Sequence, residues 1–270
     1  MSEVQAVIFD WAGTMVDFGS RAPMGAFVEV FKSFGVEIST DEARGPMGLP
    51  KLEHIRALGQ LETVRTQWRV SQGGDFDDAA AHRVYEVFVP MNADVVADYA
   101  DLVPGAADLV VALRERGITI GSTTGYTREI MERLLPRAAE QGYAPDNLVC
   151  AGDLAAGRPT PLMMYKCFVD LGVWEPQRVV KVDDTTPGIA EGLAAGTWTV
   201  GVSLSGNEVG LAPHELARID DKVRGEMNDR ARGVLQDAGA HAVIDTVADL
   251  LPLLERIDAE IAAGAPPHRL

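Results

Sequence analysis

The sequence predicts an α/β protein, a doubly wound parallel sheet interrupted after its first strand by a helical insertion. Three observations lead there. Short apolar runs of strand character alternate with helical stretches along most of the chain. One long block near the start has helical spacing and no convincing strand. Acidic and hydroxyl residues stand directly after several apolar runs, the place where ligands of open α/β sheets bind.

The first strand is predicted over 4–9, where Val4, Ala6, Val7, Ile8 and Phe9 run into Asp10. Four more are predicted at 118–122, 148–150, 179–182 and 198–202, and a sixth at 242–245. Helical patterns fall between them at 106–116, 128–141, 161–171 and 189–195, with a closing helix over 247–262. This alternation implies parallel pairing with helices on both faces, a Rossmann-like core. Between about 18 and 100 the rhythm changes to helices at 24–34, 52–58, 64–72 and 79–97. That block reads as a cap domain, 18–100, inserted into a core made of 1–17 and 101–270. Val103-Pro104-Gly105 marks the return to the core. The stretch 208–239 reads as a helical excursion, and 262–267 as a frayed end.

Composition narrows the function classes. The chain has 270 residues, and its net charge of −16 comes without any local basic patch, which argues against a nucleic-acid partner. The same field repels anionic substrates, so local cations must draw them in. No apolar run approaches a membrane span, and the start lacks the pattern of a secretory signal. Cys150 and Cys167 have neither metal-ligand spacing nor the density of a disulfide scaffold. A soluble cytoplasmic protein with buried, reduced thiols is the expectation.

Four motifs carry chemistry, each with a plain structural reading beside the functional one. Asp10-Trp11-Ala12-Gly13-Thr14 follows the first strand, where a carboxylate can attack phosphorus, hold a metal or simply be solvated. Ser122-Thr123-Thr124-Gly125 ends the second core strand; its hydroxyls can bind a phosphoryl oxygen, or Thr123 or Thr124 can cap the next helix. In Gly157-Arg158-Pro159-Thr160-Pro161, Arg158 can neutralise a phosphoryl group, or the prolines can merely start a helix. Asp183 and Asp184 close another apolar strand, a costly pairing unless a hard cation such as Mg²⁺ compensates it.

An aspartate, a threonine, a cation and an acidic pair, in this order and all at strand ends, resemble the haloacid dehalogenase superfamily over nearly the whole chain. The resemblance implies Asp10 as nucleophile, Thr124 as phosphoryl ligand and Arg158 as charge neutraliser. It also implies that Mg²⁺ is held by Asp10, the carbonyl of Ala12 and Asp184. Two departures narrow it. Superfamily phosphatases and mutases usually carry an acid two residues after the nucleophile, and here that position is Ala12. A second metal-site acid often follows the first, but Gly188 stands four residues after Asp184. Asp183 is then a possible substitute, and which of the two adjacent acids meets the metal stays open.

Without an acid at Ala12, an oxygen leaving group has no proton donor. A carbon leaving group needs something else, an iminium to accept the electrons of a breaking C–P bond. Lys51 can supply it, at the predicted start of a helix after Gly45-Pro46-Met47-Gly48-Leu49-Pro50. A lysine there is more often just solvated. A helix N-terminus and a nearby metal would lower its pKa, and His54, on the same helical face, could relay a proton. Together with the Asp10 motif, Thr124-Gly125-Tyr126 and Gly157-Arg158-Pro159, this set resembles the phosphonoacetaldehyde hydrolase family. That resemblance implies a Mg²⁺-dependent homodimer acting in phosphonate (2-aminoethylphosphonate) degradation. It implies a Schiff base on Lys51, an aspartyl-phosphate on Asp10, and Met47, Gly48, His54, Gly125 and Tyr126 lining the site. The competing readings are a phosphomonoesterase or sugar-phosphate mutase, and a non-catalytic binding protein.

Overall fold

Six apolar runs form one parallel sheet in the computed structural model, which describes residues 2–270. They are β1 (Ala6–Phe9), β2 (Thr119–Thr124), β3 (Val149–Cys150), β4 (Val179–Asp183), β5 (Trp198–Val202) and β6 (Ala242–Ile244). The order across the sheet is β3-β2-β1-β4-β5-β6, with every pairing parallel. Strand order switches direction between β1 and β4, and the crevice beyond their carboxyl ends is the expected ligand site. Asp10 is fixed there, its backbone N–H donating to the Val182 carbonyl at 3.0 Å.

Helices α1 (Ala22–Ser33), α2 (Thr40–Arg44), α3 (Lys51–Gly59), α4 (Glu62–Gln72) and α5 (Asp78–Val96) follow β1 without an intervening strand. The core helices are α6 (Ala106–Glu115), α7 (Arg128–Glu140), α8 (Leu162–Leu171) and α9 (Thr186–Ala195). Then come α10 (Pro213–Leu216), α11 (Asp221–Asp237) and α12 (Leu250–Ala262).

Side-chain alternation sorts the core into layers. Val7 and Phe9 of β1 pack with Leu109, Leu134 and Leu254 on one face. Ala6 and Ile8 pack with Met163, Met164 and Cys167 on the other. Both faces are covered, which is why these strands read as unbroken apolar runs. A separate apolar cluster, including Phe27, Phe31, Ile55, Trp68 and Phe88, draws its buried members from residues 24–89.

Some boundaries differ from the sequence expectation. Helix α9 starts at Thr186 and not at Ile189, because the Thr185 side chain caps it and Pro187 fits its first turn. The short α2 has no apolar periodicity to announce it; a capping box between Ser39 and Glu42 starts it. The excursion at 208–239 divides into α10 and α11. The tail is not frayed: the Leu270 N–H donates to the His241 carbonyl at 2.8 Å, and His268 packs edge-on to Trp198. Cys150 and Cys167 are free and buried. No helix among the described residues is long and apolar enough to cross a membrane.

Candidate active site

The loop after β1 carries Asp10 into a cavity shared by Ala12, Met47, Gly48, Thr124, Gly125, Tyr126 and Arg158. One face comes from strand ends, the other from the turn that precedes α3. The space there is about 20 Å³, room for roughly one water and far too small for a phosphonate. Larger cavities lie elsewhere. One of about 540 Å³ at the β6 edge touches none of the residues singled out from the sequence.

On the strand side, charges are paired. Arg158 Nη2 donates to Asp10 Oδ1 at 2.8 Å and lies 3.1 Å from Asp183 Oδ2, while its Nε donates to Glu191 Oε2 at 3.1 Å. Lys181 Nζ sits 3.0 Å from Asp183 and 3.3 Å from Glu191. Burial pushes the Asp10 carboxyl up to about 6, with Asp183 adding to this and Arg158 and Lys181 opposing it. For Asp183 the burial effect is outweighed by Arg158, Lys181 and the Thr185 hydroxyl, so it stays below the usual carboxylate range.

Asp184 stands apart from those cations. Its Oδ1 accepts from Thr14 Oγ1 at 3.2 Å and its Oδ2 from the Asn207 N–H at 2.8 Å. Burial, Asp10 and Asp183 push its carboxyl well above the usual range. Gly13, at φ +85°, leaves room for it; a Cβ there would lie 2.2 Å from Asp184 Oδ2. Oxygens of Asp10, Asp183 and Asp184 lie within 4.8 Å of one another. Three buried carboxylates this close, with Asp10 and Asp184 raised by burial and by neighbouring carboxylates, fit a hard divalent cation. Asp183 is the poorer donor, since Arg158, Lys181 and Thr185 already surround it. Gly188 can bear no acid: a Cβ would fall 1.9 Å from Asp183 Cγ.

On the helical side, Lys51 opens α3 and is buried, with 3% of its surface exposed. It makes no ion pair among the described residues. Its Nζ lies 3.9 Å from Met47 Sδ, 4.9 Å from the Tyr126 ring centre and 5.5 Å from that of Phe27. Burial lowers its pKa to about 7, against the pull of Asp10 and with the help of Arg158. Lys51 also borders a second cavity of about 250 Å³, along the seam between α3 and residues 151–157. His54 stacks on Phe27 at 3.9 Å, and its Nε2 donates to the Ala43 carbonyl at 2.8 Å. Burial and Lys51 hold it neutral, leaving Nδ1 buried without a partner.

The two sides touch through glycines. A Cβ on Gly48, at φ +89°, would meet Thr185 Oγ1 at 2.2 Å, and one on Gly125 would meet the Leu49 carbonyl at 2.9 Å. Thr124 lines the cavity and its hydroxyl accepts from the Tyr126 N–H at 3.1 Å. Neither Thr123 nor Thr124 caps α7; Thr127 does. Thr123 instead turns inward, donating to Glu191 Oε2 at 2.8 Å and accepting from Lys181 at 2.7 Å. Trp11 is packing, against Tyr143 and hydrogen-bonded to Ser122.

Sequence reading missed Lys181, Glu191 and Asp17. A signal existed for the first two: a lysine inside Val179-Val180-Lys181-Val182, and a glutamate in the small, apolar run of α9. Both are fully buried and face each other beneath Arg158. Asp17, at φ +53°, accepts from the Ala22 N–H at 2.8 Å, and burial pushes it up to about 6.

Comparison with known proteins gives the family. The haloacid dehalogenase-like hydrolase family matches residues 4–196. The chain is 53% identical over 267 residues to the phosphonoacetaldehyde hydrolase of Paraburkholderia xenovorans, covering 99% of this chain and 100% of the relative. It is 48% identical over 268 residues to that of Vibrio cholerae, covering 98% and 99%. The crystal structure of a phosphonoacetaldehyde hydrolase like protein from Oleispira antarctica superposes with a TM-score of 0.97 at 42% identity, over 98% of this chain and 96% of that one. The chain belongs to the haloacid dehalogenase-like hydrolases, among the relatives that carry the name phosphonoacetaldehyde hydrolase.

Proposed function

We propose that this protein hydrolyses the C–P bond of phosphonoacetaldehyde to acetaldehyde and phosphate, as the names of its relatives indicate. One observation carries the reading: a buried amine without an ion pair lies against Met47 and Tyr126, which line the cavity of a buried carboxylate, and Ala12 stands where an acid would serve an oxygen leaving group. Residues 18–100 act as a cap over a core of 1–17 and 101–270. Because the closed cavity has no room for substrate, the cap opens to admit it.

Lys51, with a pKa near 7, supplies a neutral amine that condenses with the aldehyde and releases water. His54, with a bare Nδ1, relays a proton in that exchange. Arg158 and the Thr124 hydroxyl, with the backbone at Gly125, orient the phosphonate in line with Asp10. Asp10 attacks phosphorus, the C–P electrons pass into the iminium, and the enamine departs. Water then cleaves the aspartyl-phosphate at phosphorus, and a second water hydrolyses the imine formed after protonation of the enamine carbon. Asp10, Asp184 and the Ala12 carbonyl would hold Mg²⁺, which would supply charge neutralisation on the phosphonate. Met47, Gly48 and Tyr126 wall off water around the amine.

The partner is a small phosphonate; the chain carries no expectation of nucleic-acid or membrane binding, and it works in the cytoplasm as a homodimer. The test is formation of acetaldehyde and phosphate from phosphonoacetaldehyde, with and without Mg²⁺. Equal release of both in Mg²⁺-dependent turnover supports the reading. Phosphate release from sugar phosphates or phosphoglycolate, undiminished in Lys51→Ala, contradicts it.

A further inference from the structure

Arg44 is the last residue of α2, and its guanidinium leaves the helical segment for the core. Nη1 donates to the Gly19 carbonyl at 3.1 Å and to Asn207 through its carbonyl at 3.1 Å and its Oδ1 at 3.2 Å. Nη2 donates to the Gly210 carbonyl at 2.9 Å. One cap side chain therefore grips two loops, the core loop following β5 and, at Gly19, the junction that leads from Asp10 into the cap. The fit is close: Gly210, at φ +67°, has no Cβ, and one there would lie 2.4 Å from Arg44 Cζ.

Those two loops also hold the metal-site groups. The Asn207 N–H donates to Asp184 Oδ2 at 2.8 Å. Ser205 Oγ donates to the Gly13 carbonyl at 2.9 Å, and the Gly19 N–H donates to the Ser205 carbonyl at 2.8 Å. Each acceptor on Arg44 thus belongs to a loop bonded directly to Asp184 or to the turn that carries Ala12. Arg44 itself makes no ion pair among the described residues; all its partners are neutral carbonyl oxygens. A purely adhesive contact would have no reason to converge on the loops that orient the acids.

We propose that Arg44 is a positioning residue that couples seating of the cap to assembly of the Asp10–Asp184 cation site. The inference rests on the reading of those acids as the metal site, but not on the substrate. With the cap seated, Arg44 holds the Asn207 amide against Asp184 Oδ2 and so fixes the orientation of that carboxylate. By reciprocity, a cation at the acids favours the seated cap by the same factor.

The experiment measures Mg²⁺ binding by calorimetry, and acylation of Lys51 by acetic anhydride, read by peptide mass, with and without Mg²⁺. Lys51 is accessible to reagent only when the cap lifts, since 3% of it is exposed here. In the wild-type chain, Mg²⁺ slows acylation of Lys51. In Arg44→Ala, Mg²⁺ binds about fivefold or more weakly and its protection of Lys51 falls by a similar factor. Arg44→Lys, which keeps the charge but not the fork, behaves like Arg44→Ala, and serves in its place if the alanine variant does not fold. A folded variant with wild-type Mg²⁺ affinity and wild-type protection overturns the coupling while leaving the metal reading intact. Absence of Mg²⁺ binding in the wild-type chain overturns both.

Discussion

Arg158 and Lys51 are almost equally buried, at 4% and 3% exposed, yet they hold their charges in opposite ways. Arg158 is surrounded by Asp10, Asp183 and Glu191, which outweigh the effect of burial and raise its pKa. Lys51 faces the Met47 thioether and two aromatic rings, and burial lowers it to about 7. The core side is a permanent charge network. The cap side is a poised amine. The difference lies in what the neighbours are, not in how deeply each group is placed.

The most severe way to probe this contrast removes each proposed reacting group in turn. Asp10→Asn and Lys51→Arg should each lower C–P cleavage by at least about 10⁴-fold, measured as acetaldehyde release. Arginine keeps the charge and cannot form the imine. Retention of activity in Lys51→Arg would break the distinction between the two cations.

Next in size is the network itself. Arg158→Gln leaves three carboxylates facing one another and should cost about 3–5 kcal/mol of stability, read from urea denaturation at pH 7. A loss under about 1 kcal/mol would mean Lys181 alone balances the cluster.

Lys51→Met should do the opposite and stabilise the fold at pH 7, by roughly 2–4 kcal/mol. A lysine lowered from 10.5 to about 7 binds its proton less tightly in the folded state. Below pH 7 both states carry the charge and the cost of burying it is full. Between pH 7 and 10.5 only the unfolded chain stays protonated, so wild-type stability climbs and the gap to Lys51→Met narrows. A gap independent of pH would remove the charge as its cause.

The smallest expected effect concerns the seam. Gly125→Ala puts a Cβ 2.9 Å from the Leu49 carbonyl, so the two sides must part slightly. Misplacement on that scale should lower kcat/KM by about 10–100-fold with little change in thermal midpoint.

Much of this was legible in the sequence, and the reason is physical. A parallel sheet buried on both faces leaves continuous apolar runs, and the residues that end them sit in the crevice, so the places of Asp10, the Thr123–Thr124 pair and the Asp183–Asp184 pair could be read off, while the choice within each pair came from the family resemblance. Lys51 was legible through chemistry, since Ala12 removes the alternative leaving-group acid. Lys181 and Glu191 were harder because a charge inside an apolar element is seen only when its partner, far off in sequence, is known. Arg44 left no signal at all: it hangs from a five-residue helix without periodicity, and three of its four acceptors are backbone carbonyls, which no residue identity announces.

Borohydride trapping puts the poised amine to the most direct test. Enzyme turning over phosphonoacetaldehyde is reduced at a series of pH values and its peptides are weighed. The expected result is an ethyl or phosphonoethyl adduct on Lys51, whose yield rises through about pH 7. Production of acetaldehyde and phosphate with no adduct on Lys51, or an adduct confined to another lysine, would contradict it.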